Sequence, residues 1–242
     1  MQDVILSTKG LKKKYNGNYV VNDLSIQIKR GEIYALIGKN GAGKTTFMKM
    51  ITGLIHPNAG CFALFNDEYE EKIPIIYMHK VGAMIEETGL IMALSGYENL
   101  RAKSLCVGEK DEGYLYELLE TVSLKEEKDK KVKNYSLGMK QRLGIALALV
   151  SRPELLILDE PINGLDPQGI AFVRNLIKEL NEEGITILIS SHILEEVVKV
   201  ATKYGFIHKG KLVEELSSSE LEERCKLSGK TLEEYYFELI GD

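Results

Sequence analysis

The chain has 242 residues and a mass of 27.2 kDa, with 44% apolar and 28% charged residues. Such a chain can bury a core of its own, and collagen-like, mucin-like and wholly disordered classes are excluded. Its 31 Lys and Arg stand against 36 Asp and Glu, a net charge of −5, which is not the electrostatic footprint of a protein whose main task is to hold nucleic acid.

In chain order, short strands are predicted at residues 20–21, 26–28 and 33–37, broken by polar turns such as Asn16-Gly17-Asn18. A helical pattern starts near Gly43 and Lys44, and residues 61–65 and 80–85 read as further strands. The period then becomes helical, with helices expected at 99–105, 114–122 and 138–150. Between them, residues 125–133 mix charges and read as a solvated linker. The apolar run 155–158 is too short for a helix and reads as a buried parallel strand. A helix at 168–181 stopped by Gly184, a strand at 185–189 and a helix at 193–200 follow. Residues 204–208 and 211–214 resemble a hairpin around Lys209-Gly210, and 217–242 is charged and helical, a surface appendage. The order predicts an α/β core with a mostly parallel sheet, an N-terminal antiparallel β subdomain and an inserted helical subdomain.

Cys61, Cys106 and Cys225 form an odd set without a CxxC pair, so neither a disulfide framework nor a zinc site is expected, and a reducing cytosol fits. The first ten residues lack a signal-peptide pattern. No run approaches the roughly 18–20 apolar residues of a membrane span, so the chain is not expected to cross a bilayer by itself.

The segment GKNGAGKTT contains G-x-x-x-x-G-K-[ST] as Gly38, Gly43, Lys44 and Thr45. A triphosphate loses much of its water on binding. Glycines let a loop curl until its N–H groups converge on phosphate oxygens, and the following helix adds the positive end of its dipole. Lys44 is expected to reach the β- and γ-phosphates and Thr45 Oγ1 to coordinate Mg²⁺. Lys39, Asn40, Gly41, Ala42 and Thr46 belong to the same loop. A Rossmann loop is excluded, because Gly41-Ala42-Gly43 is followed by Lys-Thr-Thr.

The segment LLILDEP lifts two acids to the end of a buried strand. Asp159 is expected to bind Mg²⁺. Glu160, swinging into the cleft at the strand end, is the candidate general base that polarises the attacking water. The turn NGLDP places Asp166 just beyond, and Ser190-Ser191-His192 ends the next buried strand, where ligands of open α/β sheets bind. His192 is expected to donate a hydrogen bond to a γ-phosphate oxygen and to orient the water.

Directly before LLILDEP stands YSLGMKQRLGIA, which is similar to the LSGGQ signature of ATP-binding-cassette (ABC) ATPases, a branch of the P-loop NTPases. Ser136 and Gly138 match, while Leu137 and Met139 replace a glycine and the glutamine. The order of all these motifs resembles that family over almost the whole chain. The resemblance implies an ABC ATPase domain over 1–216, with the helical subdomain at about 87–150 and the appendage beyond. It implies a head-to-tail dimer with ATP and Mg²⁺ between the chains, each phosphate loop facing Ser136 and Gly138 of the partner. It also implies that Tyr15 stacks on adenine.

Most of that family carries a glutamine touching Mg²⁺ where this chain has Glu86, within GAMIEETGL. The substitution resembles ATPases of lantibiotic-immunity exporters. Gly96-Tyr97-Glu98-Asn99-Leu100, the YSLGMKQRLGIA form and the tail LEEYYFELIGD resemble those and the bacitracin-resistance type. The expectation is an ATP-hydrolysing exporter subunit on the inner face of the membrane. It would dock to separate transmembrane permease subunits and power export of a peptide antibiotic. The alternative is a soluble ABC ATPase acting on nucleic acid or the ribosome. Against it stand the single cassette, the short interval between Gly38 and Ser136, and the negative charge.

Overall fold

The computed structural model describes residues 3–65, 67–69, 79–86 and 88–241. Residue 87, the expected lower bound of the helical subdomain, and Asp242 lie outside them. The elements run β1 (Val4–Tyr15), β2 (Asn18–Leu24), β3 (Gln27–Lys29), β4 (Ile33–Ile37), α1 (Lys44–Ile51), β5 (Ala59–Leu64), β6 (Asp67–Tyr69) and β7 (Val81–Met84). Then come α2 (Gly96–Val107), α3 (Glu112–Thr121), α4 (Leu137–Leu149), β8 (Leu155–Asp159), α5 (Pro167–Glu182) and β9 (Thr186–Ser191). The chain closes with α6 (Leu194–Val197), β10 (Lys203–His208), β11 (Lys211–Ser217), α7 (Ser218–Ser228) and α8 (Leu232–Ile240).

The central sheet has the order β11-β10-β4-β9-β8-β7, parallel throughout except for the β10–β11 hairpin. Its middle strands β4, β8 and β9 are buried at every position, which explains why they read as unbroken apolar runs. Alternation sends successive side chains to opposite faces. Ile33, Ala35 and Ile37 join the core beneath the helices, whereas Tyr34 and Leu36 join a second core shared with α1 and the antiparallel sheet. That antiparallel sheet, β2-β1-β5-β6 with β3 on β1, is the expected N-terminal β subdomain.

The helical insert is held tightly to the main sheet. A Cβ on Gly82 of β7 would sit 2.2 Å from the Ala148 carbonyl oxygen, and one on Gly144 of α4 would meet Thr88 Cγ2 at 2.7 Å and Met84 Sδ at 2.8 Å. α4 therefore lies against β7 at backbone distance.

Several local expectations change. β1 is a twelve-residue strand that the sequence did not mark. The helix expected at 193–200 is regular only over Leu194–Val197. The Val200 amide then donates to Val197 O at 3.1 Å, tightening the turn ahead of β10. Residues 125–133 are not simply a solvated linker. They hold two short 3₁₀ turns, Val132 is fully buried, and its amide donates to Leu94 O at 2.9 Å. The tail is helical as expected, and both of its helices start with capping boxes. It is not a surface appendage, because Leu221, Tyr236 and Ile240 are buried in the larger core.

Candidate nucleotide site

Register assembles the site. Ile37 pairs with Ser191, and Asp159 pairs with Ser190. The strands that carry the glycine loop, the acids and His192 therefore end side by side at the carboxyl edge of one parallel sheet, the edge where open α/β sheets take ligands.

The loop Gly38–Thr46 needs its glycines for space as well as for turning. A Cβ on Gly38 would lie 2.5 Å from Ile207 O, and one on Gly43, whose φ is +106°, would lie 2.5 Å from Val20 O. The loop opens α1 and encloses a cavity of about 160 Å³ lined by Val20, residues 40–46 and Glu160. Asn40, Gly41, Ala42, Gly43, Lys44, Thr45 and Thr46 are thus gathered as expected. Gly38 and Lys39 form the loop's entrance, next to His192. Lys44 is buried, and its Nζ donates to Gly38 O at 2.6 Å and lies 3.1 Å from Glu160 Oε1.

Asp159 and Glu160 face the same cleft, though successive strand residues point apart. Glu160 manages this with a φ of +50°, in the left-handed region that is costly for a side chain bearing Cβ. Strain of this kind persists where the surroundings hold it. Here the Glu160 amide donates to Ser190 Oγ at 2.9 Å, and Ser190 Oγ donates to Asp159 Oδ1 at 2.5 Å. Glu160 Oε2 meets His192 Nδ1 at 2.8 Å. Glu160 Oε1 is buried with no hydrogen bond of good geometry, although Lys44 is in ionic contact. The sequence marked the Ser190-Ser191-His192 strand end but not the Ser190 relay.

The donor set fits magnesium. Thr45 Oγ1 donates to Asp159 Oδ2 at 2.6 Å, so two hard oxygen ligands already touch. They open on a cavity of about 360 Å³ whose lining includes Glu86, Gln141, Glu160 and Asn163. Among the described residues no cluster of three or more His, Cys, Asp or Glu makes an all-protein metal cage. Magnesium does not require one, since it takes one or two protein oxygens and completes its shell with phosphates and water.

The remaining expected residues are distributed around this centre. Tyr15 is half exposed at the end of β1, its ring centroid 5.4 Å from Lys13 Nζ. Glu86 follows β7, exposed, at a φ of +58°. Ser136 is exposed and caps α4, accepting from Met139 N at 3.2 Å, and Gly138 is the helix's second residue. Neither Ser136 nor Gly138 is in the lining of the cavities beside the chain's own phosphate loop. Asp166 caps α5 by accepting from Gly169 N at 2.8 Å and lines none of those cavities either. Arg142, one turn into α4, is held below its ordinary range by burial and donates to Val122 O and Ser123 O, so it ties the signature helix to the end of α3.

One contact was not anticipated. The amide of Lys39 donates to the Tyr236 hydroxyl of α8 at 3.0 Å. A signal existed in the sequence. Leu232, Tyr235, Tyr236, Leu239 and Ile240 fall at helical spacing, an apolar stripe that a freely solvated tail does not need.

The ABC transporter family model matches residues 21–163. The chain is 47% identical over 225 residues to the bacitracin transport ATP-binding protein BcrA of Enterococcus faecalis, across 93% of this chain and 73% of that one. It is 44% identical over 209 residues to the lantibiotic transport ATP-binding protein SrtF of Streptococcus pyogenes, across 86% of this chain and 89% of that one. A solved ATP-binding cassette of an ABC transporter in its ADP conformation has a TM-score of 0.84 at 26% identity, covering 97% of this chain and 98% of the other. Likeness of this extent, on the same fold, establishes that the chain belongs to the ABC transporter family, as one of its ATP-hydrolysing cassettes.

Proposed function

We propose that this chain is the ATPase subunit of an exporter for a peptide antibiotic of the bacitracin or lantibiotic kind. It works at the inner face of the membrane against separate transmembrane permease subunits. The names of the similar bacitracin and lantibiotic transport proteins support the cargo class. No helix among the described residues is long and apolar enough to cross a membrane, which accords with a need for permease partners.

The observation that carries the chemistry is Glu160, turned into the cleft and gripped between Lys44 and His192. In this reading the loop amides of residues 40–46 and Lys44 bind the phosphates. Tyr15 stacks on adenine, an arrangement its exposed ring permits. Thr45, Asp159 and Glu86 would hold Mg²⁺, which when bound offsets charge on the β- and γ-phosphates. Glu160 takes the proton of the attacking water. In this reading His192, which stands 2.8 Å from Glu160 Oε2, turns to donate a hydrogen bond to a γ-phosphate oxygen and steers the water.

Ser136 and Gly138 act on the partner's nucleotide. The exposed, capped start of α4 offers amides and a dipole end that the chain's own phosphate loop does not use, and a second copy would bring the same features to this one. Asp166, exposed at the cap of α5, joins that shared interface in this reading. ATP then holds two chains together, and hydrolysis releases them.

Co-purification tests the exporter reading. Expressed with its native neighbours, the chain should be recovered with a multi-span membrane protein. Recovery with nucleic acid or ribosomes instead would favour the other class of ABC ATPase.

A further inference from the structure

We propose that α8 is a working part of the nucleotide site, and that Tyr236 is a positioning residue acting through the peptide between Gly38 and Lys39. The inference rests on the phosphate-loop reading above. A peptide unit is planar, so its carbonyl and its N–H move together. At one end of this unit, Gly38 O accepts a hydrogen bond from Lys44 Nζ at 2.6 Å. At the other end, the Lys39 amide donates to Tyr236 Oη at 3.0 Å. The tyrosine hydroxyl therefore sets the tilt of the group that seats the phosphate-binding lysine.

The hydroxyl is itself well anchored. Tyr236 is only 3% exposed, and its ring packs 6.0 Å from that of Phe206 on β10, the strand beside β4, which feeds the loop. The next residue adds a second hold on the same position, since Lys39 Nζ lies 5.3 Å from the Phe237 ring. The same helix face walls a cavity of about 200 Å³ that reaches from Lys39 and Asn40 to His192. A helix distant in sequence thus fixes the loop's entrance and borders the catalytic histidine.

The test is Tyr236→Phe in the full chain. The ring and its packing stay, and the acceptor for the Lys39 amide is removed. ATP affinity and KM for ATP are expected to weaken about 3–10-fold, the range of one lost hydrogen bond, with kcat changed less than about twofold and little shift in melting temperature. Unchanged ATP affinity, with or without a lower melting temperature, would overturn the proposal and reduce α8 to packing. Hydrogen exchange on the unmodified chain provides a second measurement that does not depend on the variant folding. The Lys39 amide should exchange slowly, and exchange at the rate of an open loop would also overturn the proposal. Lys44→Ala separates the two levels. If it leaves ATP binding intact, the phosphate-loop reading fails. If it weakens binding about 10–100-fold while Tyr236→Phe changes nothing, only the role of Tyr236 fails.

Discussion

Lys49 Nζ, on the outer turn of α1, lies 2.6 Å from a carboxylate oxygen of Glu86. The pair joins the helix that starts at the phosphate loop to the segment that leaves β7 for the helical subdomain. A glutamine could accept a hydrogen bond from Lys49 but could not neutralise it. Both side chains are partly exposed, at 27% and 57%, so the attraction is modest and readily exchanged for another partner.

Glu86→Gln is expected to keep basal ATPase within about threefold, because the amide oxygen can still serve at the metal position and the exposed ion pair contributes only about 0–1 kcal/mol. Under the proposed exporter function, transport and the resistance it would give are expected to change. Equal resistance and equal transport in the variant would remove Glu86 from any coupling role.

Glu160→Gln keeps the shape of the side chain and removes the proposed base. ATP should still bind, turnover should drop by about 10²–10⁴-fold, and light scattering should show an ATP-dependent dimer. A variant that hydrolyses normally, or one that stays monomeric at saturating ATP, contradicts the assignment.

Lys44→Ala removes a buried, charge-assisted donor and leaves Glu160 without its cationic neighbour. A hydrogen bond to a charged group contributes about 1.5–3 kcal/mol, so nucleotide affinity should fall about 10–100-fold in a direct binding titration.

Gly82→Ala tests the tight seat of α4 on β7. The added methyl would press on the Ala148 carbonyl, a backbone atom without a rotamer to escape into. Overpacking of this kind costs about 1–3 kcal/mol, which urea denaturation would register as a lower midpoint.

Glu154 offers a pH test away from the site. Its carboxyl is held below the ordinary range chiefly by the hydrogen bond from Lys80, then by Arg30. A depressed carboxylate pKa stabilises the fold above the unfolded-state value, and that contribution is lost as pH falls through the folded-state value. Glu154→Gln should thus be less stable than the parent near neutrality, by at most about 1 kcal/mol for so exposed a pair, and the gap should close in acid. A gap that widens on acidification would refute the assignment.

The parts legible in the sequence were those in which chemistry and local structure share one short segment. Gly38–Thr46 carries its loop, its lysine and its helix start together, and LLILDEP carries a buried strand and its terminal acids. Strand β1 was not legible, because its alternation is broken by Gly10 and by register shifts against β2 and β5. The start of α2 moved to Gly96 because Ser95 and Glu98 cap one another, a signal present in the sequence but outweighed by the apolar period. The contacts of Tyr236 with Lys39 and of Lys49 with Glu86 are tertiary. Nothing within either segment fixes the distance to the other.

Strand order also bears on synthesis. β4, which delivers the phosphate loop, is flanked in the sheet by β9 and β10, both of which leave the ribosome long after it. A nascent chain therefore holds a complete glycine loop on an unpaired apolar strand for most of its translation. Nucleotide cannot act as a ligand that pulls folding forward until the last third has emerged, and until then β4 is an aggregation hazard that chaperones would have to shield.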